Sequence, residues 1–419
     1  MLNFYVSKEK PIMKKSLLIK LLVMALVLVS VLTLASCFDS TPGSLEQIDK
    51  DIENRKDSEG LVFKEGKDGD GNKYYSVTGL GECTDKIVVI PEKYNGAPVK
   101  RIANKAFSET DIERVIIPES VDTIAHHAFA DCEKLQKIKL PDALVSLGSD
   151  AFAGCVSLTD LYIGENLKEI GKSAFEGCSG LTAIYIADTV QSIGASAFAG
   201  CSGAKKIVIG KAVTKIDDSA FEGCSSVAKV EIPDTVTYMG SYVFKDCTAL
   251  GKVVLSKGMT KITDGTFYGC KTLQDFKIHD KITVIGEDAF RGCESIREMK
   301  IPSTIVEVQD RAFFCCYALE KIYVPKSVVK WGNFVTYFCK DLAKWEYEGT
   351  LEDWNNIECI ARPEGAGSEK VVGPNESLSM YLTIKAPYVE CSDGKVNIKE
   401  VLEKNGFKSD NITNEDIEG

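Results

Sequence analysis

Ten of the 15 cysteines in this chain of 419 residues recur every 23 residues, and no other feature constrains the fold as strongly. Nine of them stand three residues after a phenylalanine, and Thr336 takes the phenylalanine position in the last unit. A period of this length is typical of a solenoid, in which each repeat buries its apolar side chains only against the neighbouring turns. The recurring cysteines are Cys132, Cys155, Cys178, Cys201, Cys224, Cys247, Cys270, Cys293, Cys316 and Cys339.

One repeat contains two stretches with strand-like patterning. Ile138 and Leu140 alternate with Lys137 and Lys139, which is the pattern of a strand with one buried face. A second pair of inward positions, Leu144 and Leu147 in this repeat, predicts a short strand on the opposite side of the coil. The Ala-Phe-x-x-Cys segment has room for a single 3₁₀ or α turn. The sequence therefore predicts a β-rich solenoid of 23-residue repeats with short helical turns and an inward column of phenylalanines.

Two features of the repeat carry more specific expectations. A glycine such as Gly171 or Gly194 follows the second strand, and we attribute it to a turn that needs a permissive backbone. The cysteines form a second column, and successive turns about 4.8 Å apart are within disulfide range in an exported protein. We nevertheless expect free thiols, because a buried structural cysteine behaves as a small apolar residue.

Both ends of the repeat array carry candidate caps, so that residues 59–360 form the solenoid with its caps. Residues 61–81 place an Asp/Gly/Asn turn between two β-rich runs, which predicts a hairpin rather than a calcium loop. Bulky aromatic residues follow the last repeats, Trp345 and Trp354 among them, and are suited to cover the open end. Residues 361–419 read as a linker and a small C-terminal segment, with a strand-like run at 380–384 and a helical pattern near 396–402. The last residues do not complete a strand or helix, which is the pattern expected of a truncated reading frame.

The first 36 residues have the pattern of a lipoprotein signal peptide. Lysines precede an apolar run over residues 21–34, and the run ends in Leu-Ala-Ser-Cys, which resembles the bacterial lipobox. We therefore expect lipidation of Cys37 and a membrane anchor at the cell surface, followed by a flexible tether over residues 37–58; simple cleavage and release is the alternative. Met13 is an alternative start. The cleaved chain would carry a charge near −15, since the whole chain has −11 and the leader +4.

The chemistry-bearing residues give little support for catalysis. The acidic charge argues against nucleic-acid binding through a basic surface, and the 3 histidines leave few acid–base candidates near neutral pH. His126 and His127 occupy variable loop positions, and no paired cysteine cluster with zinc-site spacing is present. We expect no enzyme activity, no cofactor and no metal site.

The repeat, roughly V-x-x-I-G-x-x-A-F-x-G-C-x-x-L-x-x-I-x-I-P, resembles the BspA-type leucine-rich repeats of bacterial surface proteins over about residues 60–357. The resemblance implies a right-handed leucine-rich-repeat solenoid exposed at the cell surface, and some members act as adhesins. It implies no catalytic residues. Several repeats depart from the pattern where proline is usual, with Gly164, Ala187, Gly210, Ser256 and His279 instead.

The outward positions of the first strand are the candidate binding surface. Over eleven repeats they hold ten basic and five acidic side chains on an acidic protein, together with exposed tyrosines and valines. Aromatic residues are enriched at interfaces, although tyrosine and lysine also suit any solvent-exposed strand. We hypothesise a lipid-anchored extracellular protein that binds a protein or glycan; the alternative is a spacer or surface-layer component that projects a C-terminal module. The candidate surface consists of Lys137, Lys139, Tyr162, Tyr185, Lys206, Val208, Lys229 and Tyr323.

Overall fold

The computed structural model describes residues 56–361, 370–372 and 388–397. Two columns of parallel strands run along a β-solenoid of about 12 turns. Each repeat adds one strand of up to four residues to the first column, called here the long-strand column, and one strand of two residues to the second, the short-strand column. The predicted solenoid with two strands in each repeat is therefore confirmed.

The strand bounds show the repeat directly. The long-strand column consists of β3 (Ile87–Val89), β6 (Arg114–Ile116), β8 (Lys137–Lys139), β10 (Asp160–Tyr162), β12 (Ala183–Tyr185), β14 (Lys206–Val208), β16 (Lys229–Glu231), β18 (Lys252–Val254), β20 (Asp275–Phe276), β22 (Glu298–Lys300), β24 (Lys321–Val324) and β26 (Lys344–Tyr347). The short-strand column consists of β7 (Thr123–Ile124), β9 (Ser146–Leu147), β11 (Glu169–Ile170), β13 (Ser192–Ile193), β15 (Lys215–Ile216), β17 (Tyr238–Met239), β19 (Lys261–Ile262), β21 (Val284–Ile285), β23 (Glu307–Val308) and β25 (Lys330–Trp331). Where strands of neighbouring repeats pair, they are parallel and their partners are 23 residues apart, as Ala183 with Lys206 and Tyr185 with Val208; β3 and β6 at the start of the coil are offset by 27. Hydrogen bonding along the long-strand column is interrupted between β10 and β12, β14 and β16, and β20 and β22.

The core lies between the two columns and consists of stacked, identical positions. From Phe107 to Phe313 the phenylalanine rings are fully buried, and adjacent ring centroids are 4.9–6.1 Å apart. The ten recurring cysteines are equally buried and are free thiols, as expected. Each repeat thus buries its apolar side chains against copies of themselves in the neighbouring turns, which is how a solenoid builds a continuous core.

The Ala-Phe-x-x-Cys segment forms a chain of separate turns. Around Phe221, the N–H groups of Ala220, Glu222 and Cys224 each donate to the carbonyl oxygen three residues earlier, at 3.0–3.3 Å. Two residues in this segment, Ser219 (φ 55°) and Gly223 (φ 70°), have left-handed backbone conformations. A left-handed residue interrupts a right-handed helix. The expected helical turn is therefore realised as successive hydrogen-bonded turns.

The glycine that follows six of the ten short strands has a different role from the expected one. Gly171 and Gly194 do not have positive φ angles. A Cβ atom on Gly194 would lie 2.8 Å from the carbonyl oxygen of Ile170 in the preceding turn. The attribution to a permissive backbone was wrong; the backbones of successive turns approach closely at these two glycines, although Ala125, Asp217, Thr263 and Gln309 occupy the same position in other repeats.

Both ends of the coil carry hairpins. At the N-terminal end, β1 (Val62–Lys67) and β2 (Lys73–Gly79) form an antiparallel hairpin, and β2 pairs in parallel with β5 (Ala97–Ile102), which also pairs with β4 (Lys93–Tyr94). At the other end lie α1 (Leu351–Asn355), β27 (Glu358–Ala361), β28 (Lys370–Val372), β29 (Tyr388–Cys391) and β30 (Gly394–Asn397).

The C-terminal hairpin corrects part of the sequence interpretation. β29 pairs in parallel with β26, with Trp345 opposite Val389, and β30 folds back on β29. Residues 394–397 are therefore a strand, although the pattern near Val396 indicated a helix. Part of the segment assigned to a linker and small C-terminal unit extends the long-strand column instead. The strand-like run at 380–384 lies outside the described residues, as do the signal peptide, Cys37 and most of the tether.

Candidate functional site

Seven of the eight predicted surface residues lie together on consecutive turns. Lys137 and Lys139 are on β8, Tyr162 on β10, Tyr185 on β12, Lys206 and Val208 on β14, and Lys229 on β16. Tyr323 is on β24, four strands further along the long-strand column. Because inward and outward positions alternate along each strand, these side chains point away from the core. Tyr323 is thus separate from the other seven.

The centre of this surface is a contact between Tyr185, Lys206 and Val208. The Lys206 ammonium lies 5.3 Å from the centroid of the Tyr185 ring, within the range of a cation–π interaction. Val208 is opposite Tyr185 in the parallel register. Tyr185 and Val208 are 37% and 39% exposed. Lys206 forms no ion pair with any residue in the described part of the chain. An exposed aromatic ring, an apolar side chain and an unneutralised cation are therefore adjacent.

Several of the surrounding charges are already paired. Lys137 lies 3.5 Å from Asp160 on the next strand, and Lys229 forms an ion pair with Glu231 on its own strand. Elsewhere on the face, Lys252 pairs with Asp275 at 2.5 Å. Exposed pairs of this kind are weak but reduce the local field. The basic character of the face is therefore lower than the sequence count indicates and is concentrated near Lys206.

Tyr162 is less available than Tyr185. Its hydroxyl donates to Asp142 Oδ1 at 3.3 Å, and the ring is half-buried. Partial burial, followed by the nearby Asp142 carboxylate, raises the pKa of Tyr162 to about 12. The phenol therefore remains neutral at physiological pH. It offers an apolar ring face to a partner, while its hydroxyl is already hydrogen-bonded to Asp142.

The polar side chains considered for metal binding accept hydrogen bonds from backbone N–H groups instead. Asp68 Oδ1 accepts the N–H groups of Asp70 (3.1 Å) and Asn72 (2.8 Å) in the β1–β2 turn. The Asn72 backbone hydrogen bond is the largest cause of the lowered pKa of Asp68, which the Lys100 ammonium also lowers. His126 Nδ1 accepts the Ser149 N–H at 3.0 Å. Among the described residues no group of three or more His, Cys, Asp or Glu side chains has the arrangement of a metal site.

Sequence reasoning missed a second surface, on the turns that follow the short strands. Five partly exposed side chains occupy the same position of successive turns: Lys245, Tyr268, Arg291, Phe314 and Tyr337. Tyr242, three residues before Lys245, is also partly exposed. Reading the residue after each core phenylalanine would have found it, because this position holds alanine or glutamate from Ala130 to Glu222 and large side chains from Lys245 onward.

Comparison with known families identifies the repeat. The family model described as BspA type leucine rich repeat region (6 copies) matches over residues 100–228, 169–291 and 214–343. Together these ranges cover more than half of the chain. None of the curated proteins matches.

Several solved structures are similar. A leucine rich cell surface protein from Faecalibacterium prausnitzii is 24% identical, with a TM-score of 0.44 over 70% of this chain and 95% of the other. A leucine-rich repeat protein from Bacteroides ovatus is 22% identical, with a TM-score of 0.45 over 73% and 97% of the two chains. The pneumococcal vaccine antigen PcpA is 15% identical, with a TM-score of 0.43 over 82% and 100%.

Proposed function

Because the chain belongs to the BspA-type leucine-rich repeat family, whose members are typically found at the cell surface, we propose that it is a lipid-anchored extracellular binding protein. Its anchor is Cys37, and its partner is a protein or glycan held on the outward face of the long-strand column. We propose no catalytic role. Within the described part of the chain, no helix has the length and hydrophobicity of a membrane span.

The observation that carries the binding proposal is the contact between Tyr185, Lys206 and Val208. Aromatic side chains at the centre of a patch commonly supply most of the binding energy, while charged neighbours steer the partner. Lys206 favours an acidic protein segment or a sulfated glycan. Since the neighbouring lysines are largely paired, we expect moderate affinity and a clear decrease in binding as salt increases.

The test uses two immobilised probes, heparin as a sulfated glycan and polyglutamate as an acidic polypeptide. In one variant, Tyr162, Tyr185 and the four lysines at 137, 139, 206 and 229 are replaced by serine. We expect the wild type to bind at least one probe and the variant to lose this binding.

The matched control is on the short-strand column. Lys215 lies 5.5 Å from the Tyr238 ring, and Tyr238 is 50% exposed, so a similar exposed cation–aromatic pair occurs on the other face, where Asp217 neutralises Lys215 at 2.9 Å. The Lys215→Ser, Tyr238→Ser variant should bind as the wild type does. Equal binding by the folded long-strand variant would contradict the proposed surface and favour a spacer that projects its C-terminal segment.

A further inference from the structure

The second half of the solenoid carries a continuous ladder of rings and cations on its turns. Lys245 lies between the rings of Tyr242 and Tyr268, with its ammonium 6.0 and 5.8 Å from their centroids. The Arg291 guanidinium lies 5.1 Å from the Tyr268 centroid and 4.6 Å from that of Phe314. Tyr337 continues the ladder at 5.5 Å from Phe314. We call these six residues the aromatic ridge.

Three aromatic residues beside or within the ridge occupy an unfavourable backbone conformation, and one of them is Phe334 (φ 56°), whose ring lies 5.7 Å from that of Tyr337. Tyr242 has φ 59°, where the equivalent residues of the three preceding turns are Ser173, Ser196 and Ser219. Phe338, in contact with the Tyr337 ring, has φ 61°, where most other turns have glycine. Bulky side chains rarely adopt positive φ, and such conformations cluster at functional sites. Glycine, which most other turns have at the Phe338 position, adopts this conformation without that cost.

The next turn is shaped to accommodate the ridge. A Cβ atom on Gly265 would lie 2.1 Å from the Tyr242 ring, so this ring packs directly on the Gly265 backbone. In the other repeats the position of Gly265 holds a residue with a side chain, such as Ser219, Asp288 or Arg311. The ring is therefore held in one orientation, with its outer side partly exposed.

The charges in and beside the ridge compensate one another. Lys245 forms a 2.7 Å ion pair with Glu222, and Arg291 lies 3.5 Å from Asp288. Arg311, beside the ridge, bonds to the same Asp288 at 3.0 Å and to Glu287. A strongly charged partner would therefore gain little from this surface, because each cation already has a carboxylate.

A row of partly exposed rings bearing hydroxyl groups and paired charges is complementary to a neutral carbohydrate. The apolar C–H faces of sugar rings can stack on the aromatic rings, and sugar hydroxyls can bond to phenol, guanidinium and carboxylate groups. Tyrosine and arginine are also the residues that most often dominate binding energy. We propose that the aromatic ridge is a binding site for a neutral polysaccharide. This site lies apart from the long-strand face and does not depend on the function proposed for it.

The experiment is native gel electrophoresis of the full-length protein with starch, mannan, xylan or mixed-linkage β-glucan in the gel, and heparin as an anionic comparison. We expect at least one neutral polysaccharide to retard the protein, with little effect of added salt. Replacing Tyr268 and Phe314 by alanine should weaken this binding about tenfold, since two stacking rings are lost. The control variant, Tyr238→Ala at a 50% exposed position of the short-strand column, should be retarded as the wild type is.

Two outcomes would overturn the proposal: no retardation by any of the four neutral polysaccharides, or equal retardation of the wild type and the ridge variant. If the double variant loses its cooperative thermal unfolding, the single Tyr268→Ser variant at its partly exposed position should still weaken the binding about threefold, since one stacking ring is lost. Retardation by heparin alone, unchanged in the ridge variant, would assign binding to the long-strand face and would also contradict the ridge proposal.

Discussion

The thiol of Cys247 donates a hydrogen bond to the carbonyl oxygen of Phe221 in the preceding turn, with 3.2 Å between Sγ and O. All ten recurring cysteines make the equivalent bond, at 3.0–3.4 Å. In the first repeat Thr110 replaces the cysteine, and its hydroxyl donates to the Phe107 carbonyl within the same turn at 2.7 Å. The cysteine column therefore joins successive turns by hydrogen bonds between side chain and backbone as well as by packing.

Replacing Cys247 by alanine should destabilise the middle of the coil by about 1–3 kcal/mol, because a buried hydrogen bond is lost and a small cavity is left. Cys247→Ser, which retains a donor of similar size, should cost less than Cys247→Ala. Amide hydrogen exchange in the turns on either side would measure the local loss. Equal effects of serine and alanine would mean that the thiol acts only by filling space.

The buried thiols should resist alkylation in the folded protein. Burial raises the pKa of Cys224 to about 12, and it also raises the pKa of Cys270. The reactive thiolate is therefore suppressed. Cys315 and Cys391 are partly exposed. At pH 8 we expect iodoacetamide to modify these two before any cysteine of the column, as read by mass spectrometry of peptides. Early modification of Cys224 would contradict the buried assignment.

The same pKa shifts predict lower stability in alkali. A thiol with a raised folded-state pKa contributes its full stabilisation below the ordinary thiol pKa of about 8.5. That contribution is lost as the pH rises from there towards the folded value, about 12 for Cys224, because only the unfolded chain gives up the proton. The midpoint of thermal denaturation should therefore decrease as the pH rises above about 8.5. A Cys224→Ala variant should show a smaller decrease.

Shortening a phenylalanine side chain in the middle of the buried column should strongly destabilise the coil. Phe221 is fully buried between Phe198 and Phe244, with centroids 5.7 and 5.6 Å away. Phe221→Ala should cost about 3–5 kcal/mol locally, and the damage should remain near the altered turn because each repeat contacts only its neighbours. Hydrogen exchange should accelerate over residues 198–267. Val254→Ala, at an exposed position of the long-strand face, is the control and should change little.

The anchoring proposal has a direct test in the cell. Cys37→Ser removes the sulfur to which a lipid would attach, so the protein should leave the detergent phase or accumulate unprocessed. Ser36→Ala, which keeps a small residue before the cysteine, is the matched control and should be processed normally. Unchanged partitioning of the Cys37→Ser protein would exclude the lipid anchor.

The strand columns illustrate what could be predicted from the sequence. A fixed period places the same residue type at the same position of every turn, so inward residues such as Ile138 and outward residues such as Tyr185 follow from alternation alone. The candidate surface was found in this way, and seven of its residues are adjacent in space. The neutralisation of Lys137 by Asp160 was not predicted, since it depends on the direction in which two flexible side chains extend between strands.

The sequence by itself determined the coil, its buried columns and the outward position of the long-strand residues, because these depend only on periodicity and burial. Tertiary structure alone decided three further features: the close backbone approach at Gly194, the addition of β29 to β26, and the left-handed Tyr242 with its ring packed on Gly265. The physical reason is that each depends on distances and backbone angles that are set only where one turn packs on the next. A repeat pattern specifies which positions stack, but the distances, backbone angles and charge pairs arise only when the turns are packed together.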